Sequence, residues 1–475
     1  MPDVLDTLVL GAGISGLSYA HARVRAGGGP LLVLDAAPRG GGLVRTSTVT
    51  LPPGCGVAGA VRHEWGPEAL QDDAPETDAL LAELGLRKLM ASGATERRFV
   101  LRDGRLVPLP LSPQAFLTTP LLSWGGKLRA LTEPWRAREP GLDGSVADFV
   151  RHRLGEQVLQ RLVDPFVGGV YAGDPELLSL RGAFPLLHEM VERHGSLLGG
   201  LRARARERRA RGEARRPGPP GLFTVEGGLG ALPDALAAAL GDRLRLGLRV
   251  TELSRDGDAW RVRGVPVQGG PDAPAVPPAP LDACARRVVV ALPAGAVARL
   301  FAASDPPLAA QLADMQAESV VAVVHAWRRE QVAHPLDGFG YLVPSCERRL
   351  HLGTLFSSSI EPGCAPAGVV LLRTLLGGAR RPQMVDWPDE ELLAELREGV
   401  GPLLGLAGEP LLARVVRWRA ALPRYDLRQP QRQAALDALL KERPGLHLIG
   451  NWRRGIACNA LVAAGRALAR EHAGG

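Results

Sequence analysis

Gly11, Gly13 and Gly16 stand in the spacing Gly-x-Gly-x-x-Gly, as Gly11-Ala12-Gly13-Ile14-Ser15-Gly16. The chemistry open to such residues is the binding of a dinucleotide's pyrophosphate. The first glycine allows a tight turn, the second lets phosphate approach the backbone, and the third lets helix and strand pack closely. Asp35, 19 residues beyond Gly16, is placed to accept hydrogen bonds from both ribose hydroxyls of an adenosine and to repel a 2′-phosphate. A second glycine turn follows in Arg39-Gly40-Gly41-Gly42-Leu43-Val44-Arg45-Thr46, with arginines on both flanks and within reach of the same pyrophosphate. Three glycines carry this meaning only between a strand and a helix. The chain supplies both, in the apolar run Asp6 to Leu10 and a small-residue helix from Ile14, and a second strand from Leu31 to Leu34 ends at Asp35.

The elements that must hold these residues belong to a chain of 475 residues, too long for one core, so two or three domains are predicted. A composition of 46% hydrophobic and 23% charged residues is that of a soluble globular protein, and 58 glycines and 40 prolines imply many turns. No apolar run of about 18 residues or more exists, which predicts no membrane span. The first strand begins within a few residues of Met1, which predicts no signal or transit peptide. Five scattered cysteines, Cys55, Cys284, Cys346, Cys364 and Cys458, form no CxxC pair and suggest free thiols in a reducing cytoplasm with no metal site. The net charge of +7 is mostly local: Arg202 to Arg216 holds eight arginines against two glutamates, closed by Pro217-Gly218-Pro219-Pro220-Gly221. That run reads as a solvated helix end and flexible linker, or as a surface drawn to anionic lipid. No aromatic side chains interleave the arginines to stack bases, which argues against nucleic acid.

Along the chain, residues 47 to 62 predict a hairpin leading to His63-Glu64-Trp65-Gly66-Pro67-Glu68, and Thr77 to Leu86 an amphipathic helix. Arg97 to Leu101 opens a hairpin that turns at Asp103-Gly104. The Leu- and Pro-rich stretch Leu106 to Leu122, with Phe116, reads as a partner or membrane contact or as a buried internal loop. Helical patterning returns from Val146 to Leu154 and from Glu156 to Val163. A strand, a glycine turn and a helix span Phe223 to Leu240, followed by strands at Leu244 to Leu253, Trp260 to Val265 and Arg287 to Leu292. This strand-rich return predicts a discontinuous dinucleotide domain interrupted by an insertion. Val320 to His325 and Val369 to Leu376 predict a mixed sheet able to floor a pocket. Near the end, the strand Leu446 to Ile449 and a loop lead to a helix from Ala460 to His472, whose N-terminus is a second anion-stabilising end.

The acid, the short spacer and Arg39-x-Gly41-Gly42 resemble the pattern of the flavin amine oxidase superfamily, which implies FAD. Gly169-Val170-Tyr171-Ala172-Gly173-Asp174-Pro175, Leu178-Ser179-Leu180, Gly338-Phe339-Gly340-Tyr341-Leu342-Val343-Pro344 and Leu422-Pro423-Arg424-Tyr425 narrow this further. With them the chain resembles, from residue 4 to residue 470, the oxygen-dependent, FAD-containing protoporphyrinogen oxidases.

The resemblance implies an α/β fold with a Rossmann-type FAD domain of the p-hydroxybenzoate hydroxylase kind. Its parts are 1–90, 217–300 and 431–475, with a helical, membrane-associating domain at 91–216 and a mixed-sheet substrate domain at 301–430. It implies FAD contacts at Gly11, Gly13, Ile14, Ser15, Gly16, Asp35, Arg39, Gly41, Gly42, Gly66, Pro67, Val250, Trp418, Ile456, Ala457 and Cys458, with Val250 against the adenine. Arg98 matches an arginine that binds a substrate propionate, and Phe339, Gly340, Leu342, Leu375 and Leu422 match the pocket wall. The implied reaction is hydride transfer from a meso methylene bridge of protoporphyrinogen IX to flavin N5, with loss of a pyrrole proton. Oxygen then reoxidises the flavin to give hydrogen peroxide, and the cycle repeats until the macrocycle is aromatic, in the penultimate step of haem biosynthesis. No side-chain base is assigned; His325, Tyr341 and His351 read as structural. Peripheral attachment to the inner face of the cell membrane is implied, and a homodimer is compatible.

The sequence departs from the family at Asp35, where Glu is common, at Leu427-Arg428-Gln429, where Gly-His is usual, and at Ala460, where Asp is common. Three alternatives stay open. Coproporphyrinogen III, with four propionates, would need further cations such as Arg97 and Arg373. The others are an amine oxidase or desaturase-type flavoenzyme, and a non-catalytic FAD-binding paralogue.

Overall fold

Two seven-stranded sheets organise the computed structural model, which describes residues 4–54, 56–135, 144–210, 221–267 and 278–474. In the first sheet, β1 (Leu5–Leu10) is followed by α1 (Ile14–Arg25) and pairs in parallel with β2 (Leu31–Leu34), in register from Thr7↔Leu31 to Leu10↔Leu34. Leu281–Val290 lies on the other side of β1, and Leu446–Leu448 pairs in parallel with its last residues. The first half of Leu281–Val290 instead continues into an antiparallel ribbon, Ala259–Pro266 and Leu248–Asp256. The parallel strands are near-continuous apolar runs because both faces are covered. On one face lie α1, the helix Ala231–Leu240 and the C-terminal helix Cys458–Glu471. On the other lie Ala294–Phe301 and Pro306–Ala313. Three separated stretches therefore contribute strands to this one sheet.

The second sheet runs in the order Leu412–Pro423, Ala317–Arg328, Val369–Gly377, His351–Leu355, Gly340–Leu342, Phe99–Arg102, Arg105–Pro108. Its hairpin Phe99–Pro108 thus bonds to the strand Gly340–Leu342, through Tyr341↔Phe99, rather than to the helices that follow it, although the sequence reading places it in the helical domain 91–216. One face buries Trp327, Phe356, Leu372 and Leu376 beneath the helix Asp389–Glu395. The other meets the hairpin Thr46–Thr50/Ala60–Glu64 around Val61 and Leu371.

Between Pro113 and Ala210 the described chain is helical, with its own core of Leu122, Val146, Val150, Leu159, Val167 and Leu178. The fold is an α/β arrangement with mixed sheets. No helix among the described residues is long and apolar enough to cross a membrane.

Several expectations shift. The strand expected over Leu244 to Leu253 is broken at Gly247: Leu244–Arg245 pairs with β2, and Leu248 begins the ribbon. Leu412–Pro423 escapes the sequence reading because Arg414, Arg417 and Arg419 mask its apolar pattern. Leu106 to Leu122 is mixed, with Leu111 and Leu117 exposed but Leu121 and Leu122 buried. The exposed apolar surface extends beyond it to Trp124, Leu128, Leu131 and Trp135. The basic run begins as the exposed helix Leu197–Ala210; its remainder from 211, most of the Pro/Gly stretch and Cys55 lie outside the described residues.

Candidate functional site

At the crossing from β1 to α1, a Cβ on Gly16 would lie 2.1 Å from the Gly11 carbonyl oxygen, and one on Gly11 (φ +106°) 2.6 Å from that of Ala291. Both positions are closed to side chains. Gly13 differs: nothing lies within 4 Å of an added Cβ, so the space above it is open. The α1 helix starts there without a capping side chain and without an acid in its first turn, leaving its N–H groups free for an anion. The second glycine turn closes over the first. The Gly41 N–H donates to the Ala12 carbonyl at 2.7 Å, Gly13 and Gly41 form a parallel bridge, and Gly42 packs against Gly13. Arg39 is paired with Asp234 at 3.1 Å.

Asp35 ends β2 with its carboxylate accepting from the N–H groups of Ala12 at 2.6 Å and Ala37 at 2.8 Å. Burial pushes this carboxyl up, and those N–H donors oppose the rise. The Leu248 N–H donates to the Asp35 carbonyl at 2.8 Å, which brings the strand carrying Val250 to the same end of the sheet. Gly11, Gly13, Ile14, Ser15, Gly16, Asp35, Gly41, Gly42 and Val250 are thereby gathered at one edge. These residues fit a dinucleotide: open space over Gly13, uncapped N–H groups and a carboxylate at the strand end.

A second junction forms where the two sheets meet. The Trp418 Nε1–H donates to the Trp65 carbonyl at 2.8 Å, with the two rings edge to face at 5.9 Å. Arg373 reaches the same turn, donating to the carbonyls of Gly66 at 2.7 Å and Glu64 at 3.2 Å and pairing with Glu68 at 2.9 Å. Gly66 and Pro67 are therefore held between the cofactor unit and the second sheet. Glu64 accepts from the Leu229 N–H at 2.8 Å and the Thr46 hydroxyl at 2.9 Å, and burial pushes its carboxyl up to about 8. This clasp of Thr46, Glu64 and Leu229 was not among the expected site residues, because nothing in the local pattern links positions so far apart in sequence.

Ile456 and Ala457 lead into Cys458, the first residue of the C-terminal helix, which has no capping side chain and no first-turn acid. That helix runs parallel to α1, with Gly465 against Ser15 and the His472 ring nitrogen 2.8 Å from the Tyr19 hydroxyl. Both positive helix ends consequently point the same way. Asn459 beside them accepts from the Thr77 hydroxyl at 3.0 Å and donates to the Gln71 carbonyl at 2.9 Å.

On the second sheet, Leu342, Gly353, Leu375 and Ala322 are successive register partners, so Leu342 and Leu375 share one row. In Val369–Gly377, Leu375 alone is not fully buried. The helix Asp164–Tyr171 packs so closely that a Cβ on Gly169 would lie 2.3 Å from Leu342 Cδ2, whereas one on Gly168 would meet only Leu352 Cδ2 at 3.9 Å. Phe339 is held by its N–H donation to the Arg97 carbonyl at 2.8 Å, and Gly340 follows in the sheet. Leu422 falls outside this row: its register partner is Glu318, and it neighbours the Asn451 loop, whose side chain donates to the Ala421 carbonyl at 3.1 Å.

The three arginines differ in their occupations. Arg97 is paired with Asp337, and Arg373 is committed to Glu68 and two carbonyls. Arg98 lies 5.3 Å over the Phe339 ring, its Nε is buried without a hydrogen bond, and burial lowers its pKa. No carboxylate pairs with it among the described residues. His325, Tyr341 and His351 belong to a buried relay within the core of the second sheet. Trp327 donates to His325, which bonds Thr374; Thr374 and Thr354 bond each other; Thr354 reaches Tyr341, and Tyr341 and Glu395 hold the two nitrogens of His351. Every group in it has a partner inside the sheet core, consistent with a structural role.

The flavin containing amine oxidoreductase family model matches residues 14–470. Protoporphyrinogen oxidase 2, chloroplastic/mitochondrial, of Arabidopsis thaliana is 30% identical over 485 residues, covering 96% of this chain and 91% of that protein. Coproporphyrinogen III oxidase of Propionibacterium freudenreichii subsp. freudenreichii is 32% identical over 506 residues, covering 98% and 90%. A solved structure from Exiguobacterium sp. 255-15 superposes with a TM-score of 0.78 at 22% identity, covering 98% of both chains, a likeness of fold.

Proposed function

The chain belongs to the flavin containing amine oxidoreductases, with FAD as its cofactor, and from that premise we propose that it oxidises a porphyrinogen, protoporphyrinogen IX, to the porphyrin with oxygen as acceptor, as a step of haem biosynthesis. The observation that carries this reading is Arg98, a half-buried guanidinium without an anionic partner among the described residues and set over Phe339. Leaving a buried cation unpaired is costly unless a ligand supplies the counter-charge, and a propionate can bond a guanidinium bidentately. Similarity to porphyrinogen oxidases over almost the whole chain supports the substrate class.

The glycine turns and Asp35 would hold the pyrophosphate and adenosine, and the two uncapped helices would lend positive ends to the phosphates and to the reduced isoalloxazine. Bound FAD supplies hydride acceptance and the reduction of oxygen to hydrogen peroxide. The chain's own part is to orient the macrocycle: Arg98 on a propionate, Phe339, Gly340, Leu342, Leu375 and Leu422 along its faces and edges, and Trp418 with Gly66 and Pro67 along the cofactor side. Units 1–90, 217–300 and 431–475 would serve FAD, 301–430 together with Arg98 and the hairpin Phe99–Pro108 the substrate, and the helical remainder of 91–216 the cap.

Coproporphyrinogen III is the second reading, favoured by relatives of that name. Its two additional propionates call for additional free cations, and Arg97 and Arg373 are already occupied, which supports protoporphyrinogen IX. We further propose that the helical region rests peripherally on the inner face of the cell membrane. Trp124 and Trp135 are 69% and 82% exposed, and Glu133 caps the basic helix beside them by accepting from the Leu197 N–H at 2.9 Å. Aromatic residues next to clustered arginines suit an anionic lipid surface.

The test is porphyrin fluorescence and peroxide release by the purified holoprotein in air, with both porphyrinogens in parallel. Faster turnover of protoporphyrinogen IX is expected. Preference for coproporphyrinogen III would favour the second reading, and turnover of neither would reject both.

A further inference from the structure

We propose that Tyr425 is a positioning residue that seats the N-terminus of the C-terminal helix against the flavin and makes that seating depend on the docked helical region. The residue is shared by three parts of the molecule. Its ring is 3% exposed and belongs to the core of the helical region, 6.4 Å from the Tyr171 ring and beside Phe184 and Ile456. Its backbone carbonyl accepts from the Ser179 N–H at 2.8 Å, and its neighbour Asp426 bridges to Leu178. Its hydroxyl leaves that core and enters the loop Gly450–Gly455, donating to the Asn451 carbonyl and accepting from the Gly455 N–H at 2.8 Å.

The loop needs such a tie. It begins and ends on glycines at φ +141° and +126°, and Ile456 to Cys458 follow at once as the start of the uncapped helix. Its middle is pinned elsewhere: Trp452 donates to the Leu292 carbonyl at 2.9 Å, while Gln429 and Gln433 both donate to the Trp452 carbonyl. At the end that enters the helix, the Tyr425 hydroxyl holds the Gly455 N–H. Without the hydroxyl, the Asn451 carbonyl and the Gly455 N–H lose this partner in a part-buried place. Because a helix dipole acts on charge only within its first turn, a small displacement of that turn lowers its stabilisation of the reduced, more negative flavin.

The inference rests on FAD binding and on this helix end facing the isoalloxazine, not on the identity of the substrate. Its test is Y425F in the FAD-loaded full chain, which keeps the ring and its packing. Amides of residues 451–457 should exchange with deuterium at least about tenfold faster. The oxidised–reduced flavin equilibrium, measured against a reference dye, should move about tenfold towards the oxidised form, or about 30 mV for a two-electron couple. Y171F removes the neighbouring hydroxyl, which donates to the Ala183 carbonyl at 2.9 Å, and serves as the control for packing alone. It should leave both readouts unchanged. An unaltered potential in Y425F, or an equal shift in Y171F, would overturn the assignment. Neither readout uses a porphyrinogen, so failure here is separable from failure of the proposed substrate.

Discussion

The two candidate binding regions of this molecule are built by opposite means. At the edge of the first sheet, the glycine turns offer space and backbone N–H groups, with one carboxylate at the strand end. At the second sheet, the Arg98 guanidinium stands over the Phe339 ring. The first kind of site is encoded by what is missing from the sequence, the side chains that glycine lacks. The second is encoded by what the fold leaves unpaired. Damage to the first should therefore be steric and cofactor-wide, and damage to the second electrostatic and specific to the substrate.

The largest effect expected is from Gly13→Val. Gly13 has φ −70° and ψ 172°, a region open to any residue, with nothing near an added Cβ, so the chain should fold. The new side chain would occupy the pyrophosphate's space. FAD affinity should fall at least about 100-fold, ~2.8 kcal/mol, read by flavin absorbance per protein after gel filtration, with the thermal transition of the apoprotein unchanged. Retained FAD would break the comparison at its first term.

Next comes Arg98→Ala, which should weaken porphyrinogen binding by about 1–3 kcal/mol, the range for a charged hydrogen bond, while flavin content stays constant. An unchanged Michaelis constant would remove the propionate role. The contrast is sharpened by Arg97→Ala, which breaks an exposed pair with Asp337 and should cost less than about 1 kcal/mol in both stability and binding.

Glu64→Gln tests the clasp between hairpin and glycine turn. The Glu64 carboxyl is raised from 4.5 to about 8 in the folded protein, so its contribution is fully present at low pH and is lost as the unfolded chain releases its proton. Native stability should thus decline between about pH 5 and pH 8 with a slope of up to about 1.4 kcal/mol per unit. Urea titrations should show that slope flattened in Glu64→Gln. Identical slopes in the two proteins would contradict the assignment. The smallest effect concerns lipid: Arg202→Ala should weaken sedimentation with anionic vesicles by about 1 kcal/mol and leave binding to neutral vesicles unaltered.

The contrast between the regions also explains what the sequence discloses. Gly11, Gly13, Gly16 and Asp35 are read directly, because strand, turn, helix and acid are local and their spacing is fixed by backbone geometry. The parallel strands of the first sheet are legible too, since they are buried and almost uniformly apolar. Leu412–Pro423 is not, because its arginines alternate with apolar residues on a half-covered strand. The Phe99–Pro108 hairpin reads correctly as a hairpin, but its pairing with Gly340–Leu342 is a contact across more than 200 residues that no local pattern specifies. The same holds for Arg98, Arg97 and Arg373. Three arginines of equal chemistry are distinguished only by which carboxylates the fold brings to them. Tyr425 is visible in the sequence as part of a segment, and its hydroxyl's partners emerge only when the Gly450–Gly455 loop is folded against it.

The most direct measurement is anaerobic mixing of the FAD-loaded protein with protoporphyrinogen IX in a stopped-flow spectrometer, following the visible flavin band and porphyrin fluorescence together. The account predicts that the flavin bleaches on mixing, taking the first two of the six electrons that separate porphyrinogen from porphyrin, and that admitting oxygen restores the band with release of peroxide and lets porphyrin fluorescence rise as the remaining cycles complete. A flavin that stays oxidised with protoporphyrinogen IX and with coproporphyrinogen III, yet bleaches with an amine, would contradict it.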